Sequence, residues 1–208
     1  YKTSKEKKIC NSLKIYRNII GYFPTWRTNG LDFFIDINDT NQLEILNVIL
    51  KKKNSIILVK KHSNSFKRDQ QKSYNFESEI LFNKMSKLSN FYLIDYEVDL
   101  NSILGSCDLL ISDYSGVIFD YLFLNRPIIL YTPDLKTYKS NPGLNFDFNN
   151  FDFGYKTNNY IGLIKLIKKH FNNKKLFKNK HNSKRESFRK KIFETNECVN
   201  NIINVLEK

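Results

Sequence analysis

At 208 residues and a formal net charge of +13, the chain is long enough for one α/β domain with a sizeable core and short for two. The positive balance points to acidic partners such as nucleotides, phosphate polymers, anionic lipid head groups or nucleic acid, although a lysine- and asparagine-rich composition raises charge with no partner at all. No apolar run approaches the roughly 20 residues that span a bilayer and no charged-then-apolar leader marks secretion, while Cys10, Cys107 and Cys198 lack metal-ligand spacing, which reads as a reduced, cytoplasmic compartment without a zinc site.

Tyr1 to Ser12 is lysine-rich without an apolar period, and residues 1–17 read as a linker or the start of a helix. A chain opening on Tyr1 rather than methionine reads as a piece of something longer. Residues 18–23 form the first buried strand, ended by Pro24, which cannot donate to a ladder. Thr25, Trp26 and Arg27 follow at that strand's carboxyl end. A guanidinium fork suits a diphosphate, and it suits a surface salt bridge equally well. Residues 28–40 read as a loop with an apolar patch at Leu31 to Ile37. Leu43, Leu46 and Leu50 then predict a helix capped by Asp39 or Thr40.

Residues 55–60 make the second strand and deliver Lys60, Lys61 and His62 to the same edge. Like charge beside His62 disfavours its cation unless an anion is bound, though a lone histidine is more often structural. Ile80, Leu81, Met85 and Leu88 predict a helix and residues 91–94 a third strand. Asp99 caps a short helix, Leu100 to Leu104, that Gly105 stops.

Residues 108–112 and 127–131 are apolar runs of the kind that fill buried parallel strands. Between them Ser112, Asp113, Tyr114, Ser115 and Gly116 form a polar turn, followed by an apolar helix from Val117. Such a turn joins a strand's carboxyl end to a helix's amino end, where free N–H groups favour an anion. The loop from Thr132 through Gly154 is long enough for a lid or binding segment, and its aromatics could equally be satellite core. Residues 158–208 read as helical. Lys174 to Lys191 is a very basic segment with few apolar anchors (Leu176, Phe177, Phe188), Cys198 to Leu206 a final helix, and His170 and His181 surface residues without a role.

The words Ser112-Asp113-Tyr114-Ser115-Gly116-Val117-Ile118-Phe119-Asp120-Tyr121 and Asn125-Arg126-Pro127-Ile128-Ile129 resemble the signature of the CDP-glycerol glycerophosphotransferase family. Gly21-Tyr22-Phe23-Pro24-Thr25-Trp26-Arg27 and Lys60-Lys61-His62 are similar to it as well, and Gly143 to Phe148 more loosely. Two departures stand out: Ser115-Gly116 where the family commonly carries two serines, and Ser63 after His62 where proline is usual. The resemblance implies the carboxyl-terminal, Rossmann-like half of a GT-B transferase, facing a missing amino-terminal domain. It also implies a CDP-activated polyol as donor, an anionic phosphate-containing polymer as acceptor, and no cofactor besides the donor. His62 and Arg27 then become the catalytic pair. Thr25, Lys60, Lys61, Ser112, Asp113, Tyr114, Ser115 and Gly116 become substrate-binding.

The expected architecture is a parallel sheet with helices on both faces, residues 18–157 forming the nucleotide-binding domain and 158–208 helices packed on it. No G-x-G-x-x-G, Walker, zinc or EF-hand spacing occurs, which argues against dinucleotide redox and P-loop chemistry. The rival readings are a nucleotide-sugar glycosyltransferase on the same scaffold and a non-catalytic nucleotide- or polymer-binding module. Nucleic acid ranks below both, because the lysines lie mainly in the tail. An anionic membrane surface on the inner face of the cell membrane is a further candidate partner for those lysines.

Overall fold

The computed structural model describes residues 2–25, 40–60, 76–144 and 146–193. Arg27, Lys61, His62, the Leu31 to Ile37 patch and the final helix expected from Cys198 lie outside the described residues. The strands are β1 Asn18–Tyr22, β2 Ser55–Val59, β3 Phe91–Leu93, β4 Leu109–Ser112, β5 Ile128–Tyr131 and β6 Tyr155–Thr157. They form one sheet in the order β3-β2-β1-β4-β5-β6, with every neighbouring pair parallel. The first five match the expected runs to within about a residue at each end, and the sheet is parallel as expected. The sixth lies just past the loop expected through Gly154, where the sequence suggests no element. Its sequence, Tyr-Lys-Thr, has a single buried residue, so no apolar run announces an edge strand that pairs on one side only.

The alternating geometry of each strand divides its apolar run between two cores. Ile19, Ile56, Leu58, Leu110 and Leu130 face one layer, while Ile20, Ile57, Val59, Leu109, Ile111 and Ile129 face the other. On the first face lie α1 Ser4–Leu13, α4 Leu100–Leu104 and α5 Val117–Leu122. On the second lie α2 Thr40–Lys52, α3 Phe76–Ser86 and α7 Tyr160–Asn172, the last followed by α8 Lys174–Asn179. Sheets buried on both faces are why these strands read as continuous apolar runs. Each fully buried Leu, Ile or Phe contributes about 1.5–3 kcal/mol of transfer free energy.

Of the two readings for residues 1–17, linker or start of a helix, the structure shows the helix, α1. Thr3 Oγ1 accepts the Glu6 N–H, and Glu6 returns the bond through the Thr3 N–H at 2.8 Å, a reciprocal capping box. The other Glu6 oxygen accepts the Asp99 N–H at 3.1 Å, which ties α1 to the start of α4. These backbone donors hold the Glu6 carboxyl below its usual range, the Thr3 N–H foremost.

The loop after β5 carries α6 Leu135–Ser140 and a 3-10 turn at Phe148–Asn150. Its aromatics are core: Phe148, Phe151 and Phe153 are buried. Phe151 meets Phe119, Phe146 and Phe188 at ring-centroid distances of 6.0, 4.5 and 5.5 Å.

The basic tail is more than a solvated surface. In α9 Asn182–Phe193, Arg185 is only 1% exposed and donates to the Asn125 side-chain oxygen and the Lys178 carbonyl. Asn125 takes a left-handed φ of 45°, which asparagine tolerates, and its amide donates to Glu186. His181 bonds the Asp152 carbonyl through Nδ1 at 2.9 Å.

His170, expected at the surface, is 2% exposed, edge-on to Phe177, with neither ring nitrogen hydrogen-bonded. Burial foremost, then Lys174, pushes its pKa down to about 4, with Asp108 opposing. Its folded-state value thus lies below the unfolded value of about 6.5. The neutral ring's stability is fully present above pH ~6.5 and is lost as pH falls toward 4. Between pH 7.5 and 5 that loss is about 2 kcal/mol. His170→Leu is expected to remove this component, so between pH 7.5 and 5 wild type loses about that much stability relative to the variant in urea melts. Parallel pH profiles would refute a buried neutral His170.

Candidate functional site at the β1–β4 switch point

The strand order turns back on itself between β1 and β4. In open α/β sheets the crevice outside the carboxyl ends at that reversal is where ligands bind. The sequence places Phe23-Pro24-Thr25 after one of these strands and Asp113 to Gly116 after the other.

A set of hydrogen bonds laces the two ends together. The Phe23 N–H donates to the Ile111 carbonyl at 3.1 Å and extends the ladder past Tyr22. Ser112 Oγ returns a bond to the Phe23 carbonyl at 2.7 Å. Asp113, 2% exposed, accepts the Thr25 N–H on both carboxylate oxygens, at 2.9 and 3.1 Å. Its Oδ1 also accepts the N–H groups of Tyr114 at 2.6 Å and Ser115 at 3.2 Å. A carboxylate is the side chain for this task, because three converging donors need a charged acceptor with several lone pairs.

This lacing sorts the residues expected to bind substrate. Ser112 and Asp113 are buried and committed to backbone partners. Tyr114 is buried as well, stacked on Tyr138 at 4.3 Å, with its hydroxyl 3.2 Å from Asp134. Two of the turn's N–H groups, expected to meet an anion, meet Asp113 instead. Ser115 is half-buried and Gly116 exposed, and they form the part of the turn that a ligand can reach. Gly116 precedes α5 as its N-cap without a side-chain cap, and a Cβ there would have nothing within 4 Å. No side chain caps α5, and within its first turn the Ile118 and Phe119 N–H groups donate to the Ser115 and Gly116 carbonyls at 3.2 and 3.0 Å.

Thr25 is half-buried at the mouth, with its N–H held by Asp113. Lys60 does lie at the carboxyl edge, one residue past β2. Its ammonium donates to the Val98 carbonyl, and burial lowers its pKa while Asp99 and Asp95 oppose that shift. The structure therefore gathers Thr25, Ser115 and Gly116 at one mouth and directs Lys60 to the loop before α4.

Sequence reasoning passed over Asp134 and Tyr138, the partners that hold Tyr114. Both lie in the loop expected from Thr132 through Gly154, and only the fold brings them against the turn after β4. The family words at Asn125 and Arg126 prove structural here. Arg126 donates to the Gly105 and Cys107 carbonyls, which brace the entry to β4. Among the described residues, no group of three His, Cys, Asp or Glu side chains could hold a metal ion, and no helix is long and apolar enough to cross a membrane.

The chain is 32% identical over 145 residues to the teichoic acid glycerol-phosphate primase of Bacillus subtilis (strain 168), covering 69% of this chain and 33% of that protein. It is 30% identical over 142 residues to the teichoic acid poly(glycerol phosphate) polymerase of Bacillus spizizenii, covering 64% and 31%. It thus spans about a third of the length of these relatives. Among solved structures, the wall teichoic acid polymerase TagF shares the fold with a TM-score of 0.61 at 24% identity, over 88% of this chain and 41% of that one. The family model for CDP-glycerol:poly(glycerophosphate) glycerophosphotransferase matches residues 1–206. The resemblance carried by the turn after β4 is borne out, and the chain belongs to that family.

Proposed function

We propose that this chain is the donor-binding half of a transferase that moves a polyol phosphate, glycerol phosphate in the first instance, from a CDP-activated donor to a growing cell-wall polymer. The observation that supports it best is the half-buried Ser115 and exposed Gly116, held at the sheet's switch point by Asp113, in a chain of this family. In this reading the donor's diphosphate lies over the start of α5. A hydroxyl of the acceptor polymer attacks the phosphorus that bears the glycerol. A new P–O bond forms as the bond to the CMP oxygen breaks, and CMP leaves with the electron pair. The hydroxyl's proton passes to a base in the amino-terminal domain. Catalysis of this kind rests on positioning and charge stabilisation. Arg27 and His62 supply the latter at the phosphate oxygens, an assignment that rests on the family resemblance. The enzyme works on the cytoplasmic side, peripheral to the inner face of the membrane.

The test is nucleotide titration of the full-length enzyme by calorimetry. CDP is expected to bind at least tenfold tighter than UDP or ADP. Turnover of CDP-glycerol is expected only when the amino-terminal domain is present. Tighter UDP binding would favour a glycosyltransferase instead, and CDP binding without turnover in the full-length protein would leave a binding module.

A further inference from the structure

The edge of the sheet opposite the donor mouth carries two open clefts on either side of the start of β1. One, of about 500 Å³, is lined by Arg17, Asn18, Lys51, Lys52, Lys53 and Lys174, with Phe171 at its wall. The other, of about 530 Å³, is lined by Lys2, Lys7 and Lys14 together with Ile19. Among the described residues no carboxylate lines either cleft. Asp108, at the same edge, has its carboxylate engaged by the Ile19 N–H at 2.9 Å. Most of these cations are exposed side chains, and Lys174 also donates to the Arg17 carbonyl at 3.1 Å.

The concentration of charge is set by the fold. The basic end of α2, the start of α8, α1 and the residues after it are far apart in sequence, and the βαβ windings return them all to the amino ends of β1 and β2. Like charges gathered this way repel one another, and a bound polyanion relieves that repulsion. Asn18 adds a second need. It is 3% exposed and its amide nitrogen donates to the Lys53 carbonyl and Ser55 Oγ, but its oxygen has no donor. A ligand bringing hydroxyls as well as phosphates matches this lining.

We infer that this edge is a second anion site, which holds an extended polyol-phosphate chain away from the reaction centre. Two consecutive basic clefts, with Asn18 in one and Ile19 in the other, suit a linear polyanion better than one compact nucleotide. Concave clefts also suit a flexible chain better than a flat bilayer, which cannot enter them. That the chain is the enzyme's own polymer rests on the function proposed above. The site itself rests only on the lining. Strands of this length span roughly 15 Å, so a few repeats of an extended polymer reach from this edge to the donor mouth.

The experiment uses the full-length enzyme and a fluorescently labelled synthetic glycerol-phosphate oligomer, read by anisotropy across a salt series, with CDP titrated separately. The K51Q/K52Q/K53Q variant is expected to bind the oligomer at least tenfold more weakly, with a shallower salt dependence because fewer charges are screened, while its CDP affinity stays unchanged. A Lys7→Gln, Lys52→Gln double variant, one lysine from each cleft, gives a second reading should the triple variant fold poorly. Unchanged oligomer affinity in a variant that melts like wild type overturns the site. A parallel arm uses phosphatidylglycerol vesicles and Ile15→Asp, since Ile15 is 72% exposed beside these cations. Loss of vesicle binding with intact oligomer binding in the lysine variants would make the face a membrane contact and overturn the proposal. Lysine-dependent oligomer binding without any CDP binding would uphold the site and sink the donor reading.

Discussion

Asp113→Ala is expected to destabilise the domain by about 3 kcal/mol or more and to abolish measurable CDP binding. The substitution leaves the N–H groups of Thr25, Tyr114 and Ser115 facing a space that no longer holds an acceptor. A buried donor without a partner costs about 1–3 kcal/mol, and relaxation that admits water recovers part of the sum. Asp113→Asn is expected to fall between variant and wild type, because its one carbonyl oxygen still accepts while the amide nitrogen faces N–H groups. Ser112→Ala removes a single bond, to the Phe23 carbonyl, and is expected to cost about 1 kcal/mol. Ser115→Ala is expected to be milder still, since its side chain reaches the surface and the neighbouring N–H groups remain. Urea melts at constant m-value rank the four variants. An Asp113→Ala protein within 1 kcal/mol of wild type would mean that the lacing of β1 to β4 does not hold the mouth together.

The second large effect is on turnover. In the full-length enzyme His62→Ala is expected to cut kcat by about 10² to 10⁴, the scale of a positioned acid–base or electrostatic group. The motive is the Lys60-Lys61-His62 run that begins directly after Val59, the last residue of β2, read through the family resemblance. Stability is expected to change by no more than about 0.5 kcal/mol, the outcome required if His62 serves catalysis and not folding. Arg27→Ala is expected to weaken both turnover and CDP binding, because a cation on a diphosphate acts in the ground state as well as the transition state. Steady-state kinetics with a thermal melt on the same preparations make the comparison. Near wild-type turnover in a well-folded His62→Ala enzyme would take His62 out of the mechanism.

What was legible in the chain divides along physical lines. Strands buried on both faces are mostly apolar, so Ile19-Ile20, Ile56 to Val59, Leu109 to Ile111 and Ile128 to Leu130 announced themselves. The parallel arrangement followed from the helices alternating with them. The turn after β4 carried family words specific enough to name the family before any coordinates. One local cap was equally readable, since Asp99 accepts the Asn101 N–H as expected, whereas the Thr3–Glu6 capping box was passed over among the lysines around it. The tertiary structure alone decided which polar residues turn inward. Asp113 was expected to meet substrate and Arg185 fell within the basic tail segment, yet both are buried. Each is buried because donors or acceptors distant in the chain converge on it: Thr25 on Asp113, Asn125 on Arg185. His170 lies in a lysine-rich stretch, yet one helical face of α7 carries it into the core beside Phe177. The gathering of Arg17, Lys51 to Lys53 and Lys174 at one edge was likewise invisible in sequence. Periodicity reports which residues share a face of one element, whereas the meeting of different elements depends on strand order, which no local pattern encodes.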